Sequence, residues 1–333
     1  MALAGCAWPA TPPPKVPQGP RLDDELVRES LSGVQQTLSA DVDTAALFDL
    51  QHQKMLFEHH PIAFRQHAVE VGSVVKLLAT YTLLTTSPKA EAFEHTCRGL
   101  PPRKPGQRRG RGCWLHAGHG PMRLTTALMN SCNAYYYAAS KQTSAPALLD
   151  VIRQFGLHQP AALPGAPCAP NQVPTTVSAG DFPDLFIGDH RQLKFTPASL
   201  LQLVATVAER PLPSSNTDVL DANALQALRQ GMCGVCEAGT LEHIFEGVGV
   251  AAKTGTAEQQ TRLPSHELDI DDPTRTRGVV IGFAPADQPR FAFVVVKSNG
   301  RGARDAGPVA RAMVQAGFDA MEQAGLQVPG RSA

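Results

Sequence analysis

The segment VEVGSVVKLLATYTLL, residues 69–84, places a hydroxyl and an amine three residues apart within an apolar run. The run predicts a buried helix that begins after Gly72 and extends to about Thr85. Two interpretations fit Ser73 and Lys76. Either Ser73 caps the helix while the Lys76 stem follows apolar surface and its amine reaches water, or the two are a nucleophile and its base. One helical turn separates them, so their side chains can meet.

The composition describes a globular chain without a strong charge preference. It has 333 residues, 43% of them hydrophobic, and 30 Lys and Arg residues balance 30 Asp and Glu residues. This length suits one large or two modest domains, and zero net charge predicts no nucleic-acid partner. The basic segment 103–112 lacks aromatic residues for base stacking, which favours a solvated loop. The sequence contains no run of about 18 apolar residues, so we predict no transmembrane span.

The N-terminal region is rich in proline, with six prolines in residues 9–20. We therefore predict that residues 1–22 form a disordered segment or linker. The tetrapeptide LAGC that ends at Cys6 is similar to the lipid-attachment site of bacterial lipoproteins. A lipid anchor at Cys6 would need a start upstream of Met1, because such a signal requires a basic segment and an apolar run before the cysteine.

Cysteines and histidines flank the basic loop. A disulfide between Cys97 and Cys113 would staple this loop in an oxidising compartment. His116 and His119 have no carboxylate at metal-ligand spacing, so we interpret them as loop structure or cleft lining and predict no metal site.

Helical patterns dominate the first two thirds of the chain. Residues 23–59 are predicted to be helical and residues 86–120 to be a loop. Two short helices follow within residues 123–157. Further helices are expected to begin at Thr196, where proline occupies the first helical position, and at Asp221.

The pattern changes to strands after residue 246. Three β-branched or alternating runs cover residues 247–256, 276–286 and 290–300, and the last two are predicted to form a hairpin. An amphipathic helix with Pro308 in its first turn follows. Helices, then strands, then a helix indicate an α+β fold, with an antiparallel sheet sandwiched by the first and last helices and a mostly helical subdomain in the middle.

Two chemistries fit the first of these strands. Residues 247–254 read G-x-x-x-x-A-K-T, one residue from a phosphate-binding loop, but Ala252 replaces the required glycine and no helical pattern follows. The alternative treats Lys253 and its neighbours to residue 256, KTGT, as a carboxylate site at a strand end. Gly255 would then let a substrate backbone lie close to the strand.

A third polar motif, Ser131-Cys132-Asn133, lies between two helical runs. It is either a helix break or a group that faces a cleft. A second S-x-N at residues 214–216 lies in a proline-rich connection and is predicted to be a turn. The ordered set S-x-x-K on a helix, S-x-N between helices and K-T-G on a strand is the pattern of β-lactamases and penicillin-binding proteins.

The resemblance extends beyond the three motifs. Segments such as GHGPMRLTTALMNSCNAYYY, LKFTPASLLQLVATVA and GVVIGFAPA resemble, in order, landmarks of the transpeptidase domain of class B penicillin-binding proteins, over roughly residues 40–325. Val71 stands where that family usually has proline, and its usual membrane anchor and pedestal domain would not fit in residues 1–39. The resemblance implies a β-lactamase/transpeptidase-like fold over residues 23–328, with the sheet in 40–85 and 245–328 and the helical part in roughly 86–235.

The resemblance also implies a role for each motif residue. Three residues would do the chemistry, as nucleophile, base and proton relay: Ser73, Lys76 and Ser131. Five would bind substrate, the first through the acyl-donor amide and the others at the terminal carboxylate: Asn133, Lys253, Thr254, Gly255 and Thr256. The backbone N–H groups of Ser73 and Thr256 would form the oxyanion hole.

The activity implied is that of a serine D,D-transpeptidase. It would cross-link peptidoglycan stem peptides through an acyl-enzyme on Ser73, release the terminal D-Ala, need no metal or organic cofactor, and be inhibited covalently by β-lactams. It would act in the periplasm or on the outer face of the bacterial inner membrane, with a cell-wall synthesis complex as partner. The alternatives are a D,D-carboxypeptidase, a class D-like β-lactamase, against which Asn133 argues, and a non-catalytic β-lactam sensor.

Overall fold

A five-stranded antiparallel sheet is the frame of the computed structural model, which describes residues 22, 24–38, 42–100, 112–208, 220–258 and 276–328. Its strands are β1 (Val42–Asp49), β2 (Lys54–His59), β5 (Ala251–Glu258), β6 (Thr276–Ala284) and β7 (Phe291–Ser298). Their order across the sheet is β2-β1-β7-β6-β5. A separate two-stranded ribbon pairs β3 (His95–Cys97) with β4 (Gly120–Met122).

The described part of the chain contains ten α-helices. They are α1 (Asp24–Thr37), α2 (Pro61–Gln66), α3 (Lys76–Thr86), α4 (Leu124–Met129), α5 (Asn133–Ala139), α6 (Ala145–Gln154), α7 (Phe182–Ile187), α8 (Pro197–Val207), α9 (Ala222–Ala238) and α10 (Gly307–Gln323). A 3₁₀ turn, Gly72–Val75, leads into α3. Within these described helices, none has the length and apolar character needed to span a bilayer.

Capping side chains confirm the helix starts that the sequence predicts. The Thr196 hydroxyl accepts a hydrogen bond from the Ser199 N–H at 3.2 Å, one turn into α8. The Asp221 carboxylate accepts from the Ala224 N–H at 2.8 Å at the start of α9. Each cap satisfies a backbone donor that the helix leaves without a partner.

Alternate side chains of the sheet enter two different cores. On β7, Phe293 and Val295 pack with α1 and α10, whereas Val294 and Val296 pack with α3 and α8. This two-sided burial confirms the predicted α+β fold, an antiparallel sheet sandwiched by helices with a mostly helical subdomain attached. The first and last helices were expected on opposite faces; instead α1 and α10 pack against each other on one face, and α8 covers the other.

The helical prediction for residues 23–59 is wrong beyond α1. Residues 42–59 form β1 and β2, joined by a short turn. The reason is that β1 is buried along nearly its whole length, so its sequence shows no alternation. A short apolar run of this kind does not distinguish a strand from a helix.

Two segments were predicted to lack helices and strands. The segment 86–120, predicted as loop, contributes the β3–β4 ribbon. Residues 1–21 of the predicted linker, with Cys6, and most of the basic segment 103–112 lie outside the described residues.

Candidate active site

The turn that carries Ser73 meets strand β5 backbone to backbone. Gly72 has φ +51°, in the left-handed region, and a Cβ there would overlap the carbonyl oxygen of Thr256. A Cβ on Gly255 would in turn overlap the carbonyl oxygen of Val71. Gly255 therefore makes room for the turn that carries Ser73.

Lys76 is completely buried and points back at Ser73. Its Nζ lies 2.9 Å from Ser73 Oγ and 2.8 Å from the Ser131 carbonyl oxygen. It also donates to Oδ1 of Asn133. The interpretation in which this amine reaches water is therefore wrong.

Burial changes the protonation of both active-site amines. It lowers the pKa of Lys76 from 10.5 to about 7, with the neighbouring Cys113 and Cys132 thiols acting in the opposite direction. Burial, together with the nearby charge of Lys76, also lowers the pKa of Lys253 well below its usual value. An amine with a pKa near neutrality can take a proton from a serine hydroxyl at physiological pH.

Ser131 lies between the two amines. Its hydroxyl oxygen is 3.3 Å from Lys76 Nζ and 3.0 Å from Lys253 Nζ. Its φ of +50° is unusual for a residue other than glycine, and such strain persists when the surroundings fix the position. The hydroxyl is placed so that a proton can pass along it from one amine towards the other.

The two threonines of the KTGT motif have different surroundings. Thr254 is buried and shares a 2.9 Å hydrogen bond with the Thr240 hydroxyl. Thr256 is exposed, and its hydroxyl accepts from the Gly302 N–H at 3.1 Å. The sequence assigned no role to Thr240, because a lone hydroxyl in the loop after α9 matches none of the three motifs.

All eight predicted site residues meet in this one region. Hydrogen bonds directly link five of them: Ser73, Lys76, Ser131, Asn133 and Lys253. The remaining three lie on β5 immediately after Lys253.

A cysteine-rich cluster lies directly beside the S-x-N motif. Cys97, Cys113, His119 and Cys132 each offer one ligand atom, and these atoms all lie within 4.8 Å of one another. The β3–β4 ribbon places Cys97 opposite Gly120, which brings His119 to it. The disulfide that the sequence allows between Cys97 and Cys113 is not formed. Both cysteines are free, and their sulfurs lie 3.5 and 3.4 Å from Nδ1 of His119.

The spacing of these donors fits a tetrahedral metal site. With zinc–sulfur bonds of about 2.3 Å and zinc–nitrogen bonds of about 2.0–2.1 Å, a tetrahedron separates two sulfurs by about 3.8 Å and a sulfur from a nitrogen by about 3.5 Å. Cys113 Sγ and Cys132 Sγ are 3.9 Å apart, and the two sulfur–nitrogen distances also agree. Three thiols and one imidazole are a structural zinc donor set, although the sequence analysis predicted no metal.

The serine acyltransferases that react with penicillins are defined by a serine with a buried lysine, a second serine between two lysines, and an edge strand beside them. Residues 54–315 match the family model of the penicillin binding protein transpeptidase domain. The chain belongs to this family.

Curated relatives carry the same domain. Peptidoglycan D,D-transpeptidase MrdA of Acinetobacter baumannii is 25% identical over 235 residues, which cover 60% of this chain and 35% of that protein. Peptidoglycan D,D-transpeptidase PbpA of Mycobacterium tuberculosis is 28% identical over 224 residues, covering 58% of this chain and 43% of that protein. The match therefore spans less than half of the length of either relative.

Solved structures share the fold. Penicillin-binding protein A of M. tuberculosis, as a ceftriaxone acyl-enzyme complex, superposes with a TM-score of 0.71 at 20% identity, covering 87% of this chain and 78% of that one. PBP2 of Pseudomonas aeruginosa, in complex with WCK 5153, gives 0.70 at 19% identity, covering 87% and 76%. PBP2 of Helicobacter pylori, in complex with MreC, gives 0.70 at 20% identity, covering 88% and 62%.

Proposed function

We propose that this chain is a serine D,D-transpeptidase that cross-links peptidoglycan stem peptides and is acylated by β-lactams at Ser73. The observation that carries the proposal is the buried Lys76 amine, 2.9 Å from Ser73 Oγ, with the Ser131 hydroxyl between it and Lys253. The names of the curated relatives support the same substrate class.

The first half of the reaction forms the acyl-enzyme. Neutral Lys76 takes the Ser73 proton while Oγ attacks the carbonyl carbon of the penultimate D-Ala. The backbone N–H groups of Ser73 and Thr256 would hold the resulting oxyanion. The carbon–nitrogen bond then breaks, and the departing D-Ala amine receives the proton from Lys76 through Ser131.

Substrate is held on both sides of this bond. Asn133 would bind the amide of the acyl donor, with its Oδ1 already fixed by Lys76. Lys253 and the KTGT hydroxyls would bind the terminal carboxylate. Of the two hydroxyls, that of Thr256 is the exposed one.

The second half of the reaction transfers the acyl group and regenerates the free enzyme. An amine of a neighbouring stem peptide attacks the acyl carbonyl, Lys76 accepts its proton, and Ser73 Oγ leaves and is reprotonated. This chemistry takes place outside the inner membrane, where peptidoglycan is found. We propose that the enzyme acts in a cell-wall synthesis complex, and the H. pylori neighbour, solved with MreC, supports this.

Labelling with fluorescent penicillin tests the proposal. Wild-type protein should become covalently labelled, and Ser73→Ala, which removes the nucleophile, should not. Equal labelling of Ser73→Ala and wild type would overturn the assignment of Ser73.

The lifetime of the label separates the alternatives. A transpeptidase should keep the acyl group for many minutes, and intact-protein mass spectrometry over time measures this. Rapid release of the penicilloyl group would support a β-lactamase. Hydrolysis of a pentapeptide without cross-linking in the presence of an acceptor amine would support a carboxypeptidase.

A further inference from the structure

A partly buried carboxylate precedes the turn that carries Ser73. Glu70 lies three residues before Ser73, and its side chain is 13% exposed. Its Oε2 accepts a hydrogen bond from Arg277 Nη1 at 2.5 Å, and its Oε1 pairs with Lys194 Nζ at 2.7 Å. Each carboxylate oxygen therefore contacts a different cation.

The two cations belong to different parts of the chain. Arg277 lies on β6, where it pairs with Ala257 of β5, the residue after Thr256. Lys194 precedes Phe195, whose backbone exchanges hydrogen bonds of 2.9 and 3.1 Å with Val69. Glu70 thus ties the segment leading to Ser73 to the KTGT side of the cleft and to the loop before α8.

The sheet holds the Arg277 side chain from its other side. Arg277 Nε donates to Asp43 Oδ2 on β1 at 3.2 Å. The same carboxylate oxygen accepts from the Ser298 hydroxyl on β7 at 2.7 Å. Because three strands share this network, Glu70 is bound to a fixed point of the sheet.

Glu70 is charged in this setting. Burial would raise its pKa, but the hydrogen bond from Lys194 and the charge of Arg277 outweigh burial and lower the pKa below its usual value. The attraction to both cations is therefore present at neutral pH, and in a partly buried site it is stronger than on an open surface.

We propose that Glu70 is a positioning residue that sets the separation between the backbone N–H groups of Ser73 and Thr256. This inference rests on the proposed function, in which those two groups form the oxyanion hole. Ser73 and Lys76 belong to one continuous helical segment, so they move together and their own contact survives a shift of the turn. The distance from Ser73 to β5 is not fixed by this helical segment. A misplacement of about 1 Å can cost roughly 10²-fold in rate.

The test separates binding from chemistry in the full-length protein. Glu70→Gln keeps the shape and removes the charge. With penicillin G we expect the acylation rate constant k2 to fall roughly 10- to 100-fold. The noncovalent dissociation constant should change less than about threefold, because the carboxylate-binding groups are untouched.

A matched control breaks another buried ion pair. Glu58 on β2 pairs with Arg65 at 2.7 Å, and both side chains are largely buried. This pair lies at the far edge of the sheet from β5. Glu58→Gln should lower the melting temperature but leave k2 at the wild-type value.

If Glu70→Gln does not fold, a second variant, Arg277→Lys, still tests the inference. Arg277→Lys retains the positive charge but loses the forked contact to Glu70 and Asp43, and it should also slow k2. Wild-type k2 in these variants, or an equal loss in Glu58→Gln, would overturn the inference alone. A wild-type protein that is not labelled at all would overturn the proposed function and this inference with it.

Discussion

At the scale of single residues, the Ser131 hydroxyl contacts two amines. A positive charge on both amines at once would be energetically costly in this buried site. Lys76 and Lys253 approach it from opposite sides, in a site with no exposure to water at either amine. An arriving carboxylate would favour the charged form of Lys253, and Lys253 would then favour the neutral form of Lys76. Binding of an anionic substrate would in this way prepare the base.

The pH dependence of acylation should follow Lys76. Below its pKa of about 7 the amine carries a proton and cannot accept another, so the rate should fall about tenfold for each pH unit towards acid and level off above neutrality. Second-order rate constants with fluorescent penicillin between pH 5 and 9 measure this. Lys76→Arg stays protonated throughout and should be roughly 10²- to 10⁴-fold slower at every pH. A flat profile in the wild type would contradict the role of Lys76 as base.

At the scale of elements, the contact between the Gly72–Val75 turn and β5 has no space for a side chain. Gly72→Ala introduces a Cβ at positive φ against the Thr256 carbonyl. We expect a loss of about 2 kcal/mol or more in the free energy of unfolding, and much slower acylation. Urea denaturation and penicillin labelling measure the two effects.

Gly33 of α1 provides the matched control for this change. A Cβ there meets nothing within 4 Å, and its φ is not positive. Gly33→Ala should stabilise the protein by about 0.5–1 kcal/mol, as alanine does within a helix. A similar loss in both variants would mean that the turn is not specially constrained.

The cluster of Cys97, Cys113, His119 and Cys132 should bind zinc. Purified protein is expected to contain about one zinc ion per chain by elemental mass spectrometry, and a chelator should remove it and lower the melting temperature. Cys132 separates Ser131 from Asn133, so metal loss should also slow acylation. Cys113→Ser should abolish binding, whereas Cys168→Ser, outside the cluster, should retain it. A protein that binds no zinc after refolding with it would contradict the expectation.

Sequence patterns predict some of these elements well and others poorly, for physical reasons. The starts of α8 and α9 follow from local capping at Thr196 and Asp221, which neighbouring residues decide. Strand β1 cannot be predicted from such local signals, because burial on both faces removes the alternation of apolar and polar residues from its sequence. The motif residues could be named in advance, but the Cys97–His119 contact depends on the pairing of β3 with β4, which spacing along the chain does not show.

At the scale of the whole molecule, one hydrophobic core joins the sheet to the helical subdomain. It contains Ile281 and Val294 from the inner face of the sheet, Leu203 of α8, Tyr136 of α5, and Val74 from the Gly72–Val75 turn. Because the turn belongs to the same core as both parts, the geometry of the site depends on the integrity of the whole domain.

Acylation should therefore stabilise the domain as a unit. A penicilloyl group on Ser73 would contact β5 on one side and Asn133 of α5 on the other. We expect the melting temperature to rise by about 2 °C or more, since each kcal/mol shifts it by roughly 2 °C in a domain of this size. Thermal denaturation followed by circular dichroism tests this, with Ser73→Ala plus penicillin as the control. Complete labelling without a shift would show that the acyl group bridges nothing.

The pair of glycines at positions 72 and 255 also limits how this protein can evolve under drug selection. Each faces a carbonyl of the other's segment, so neither position can accept a larger residue without displacing main chain. Substitutions that weaken the reaction with a covalent inhibitor are therefore expected at positions other than these two. Gly72 and Gly255 would themselves stay constant from one resistant variant to the next.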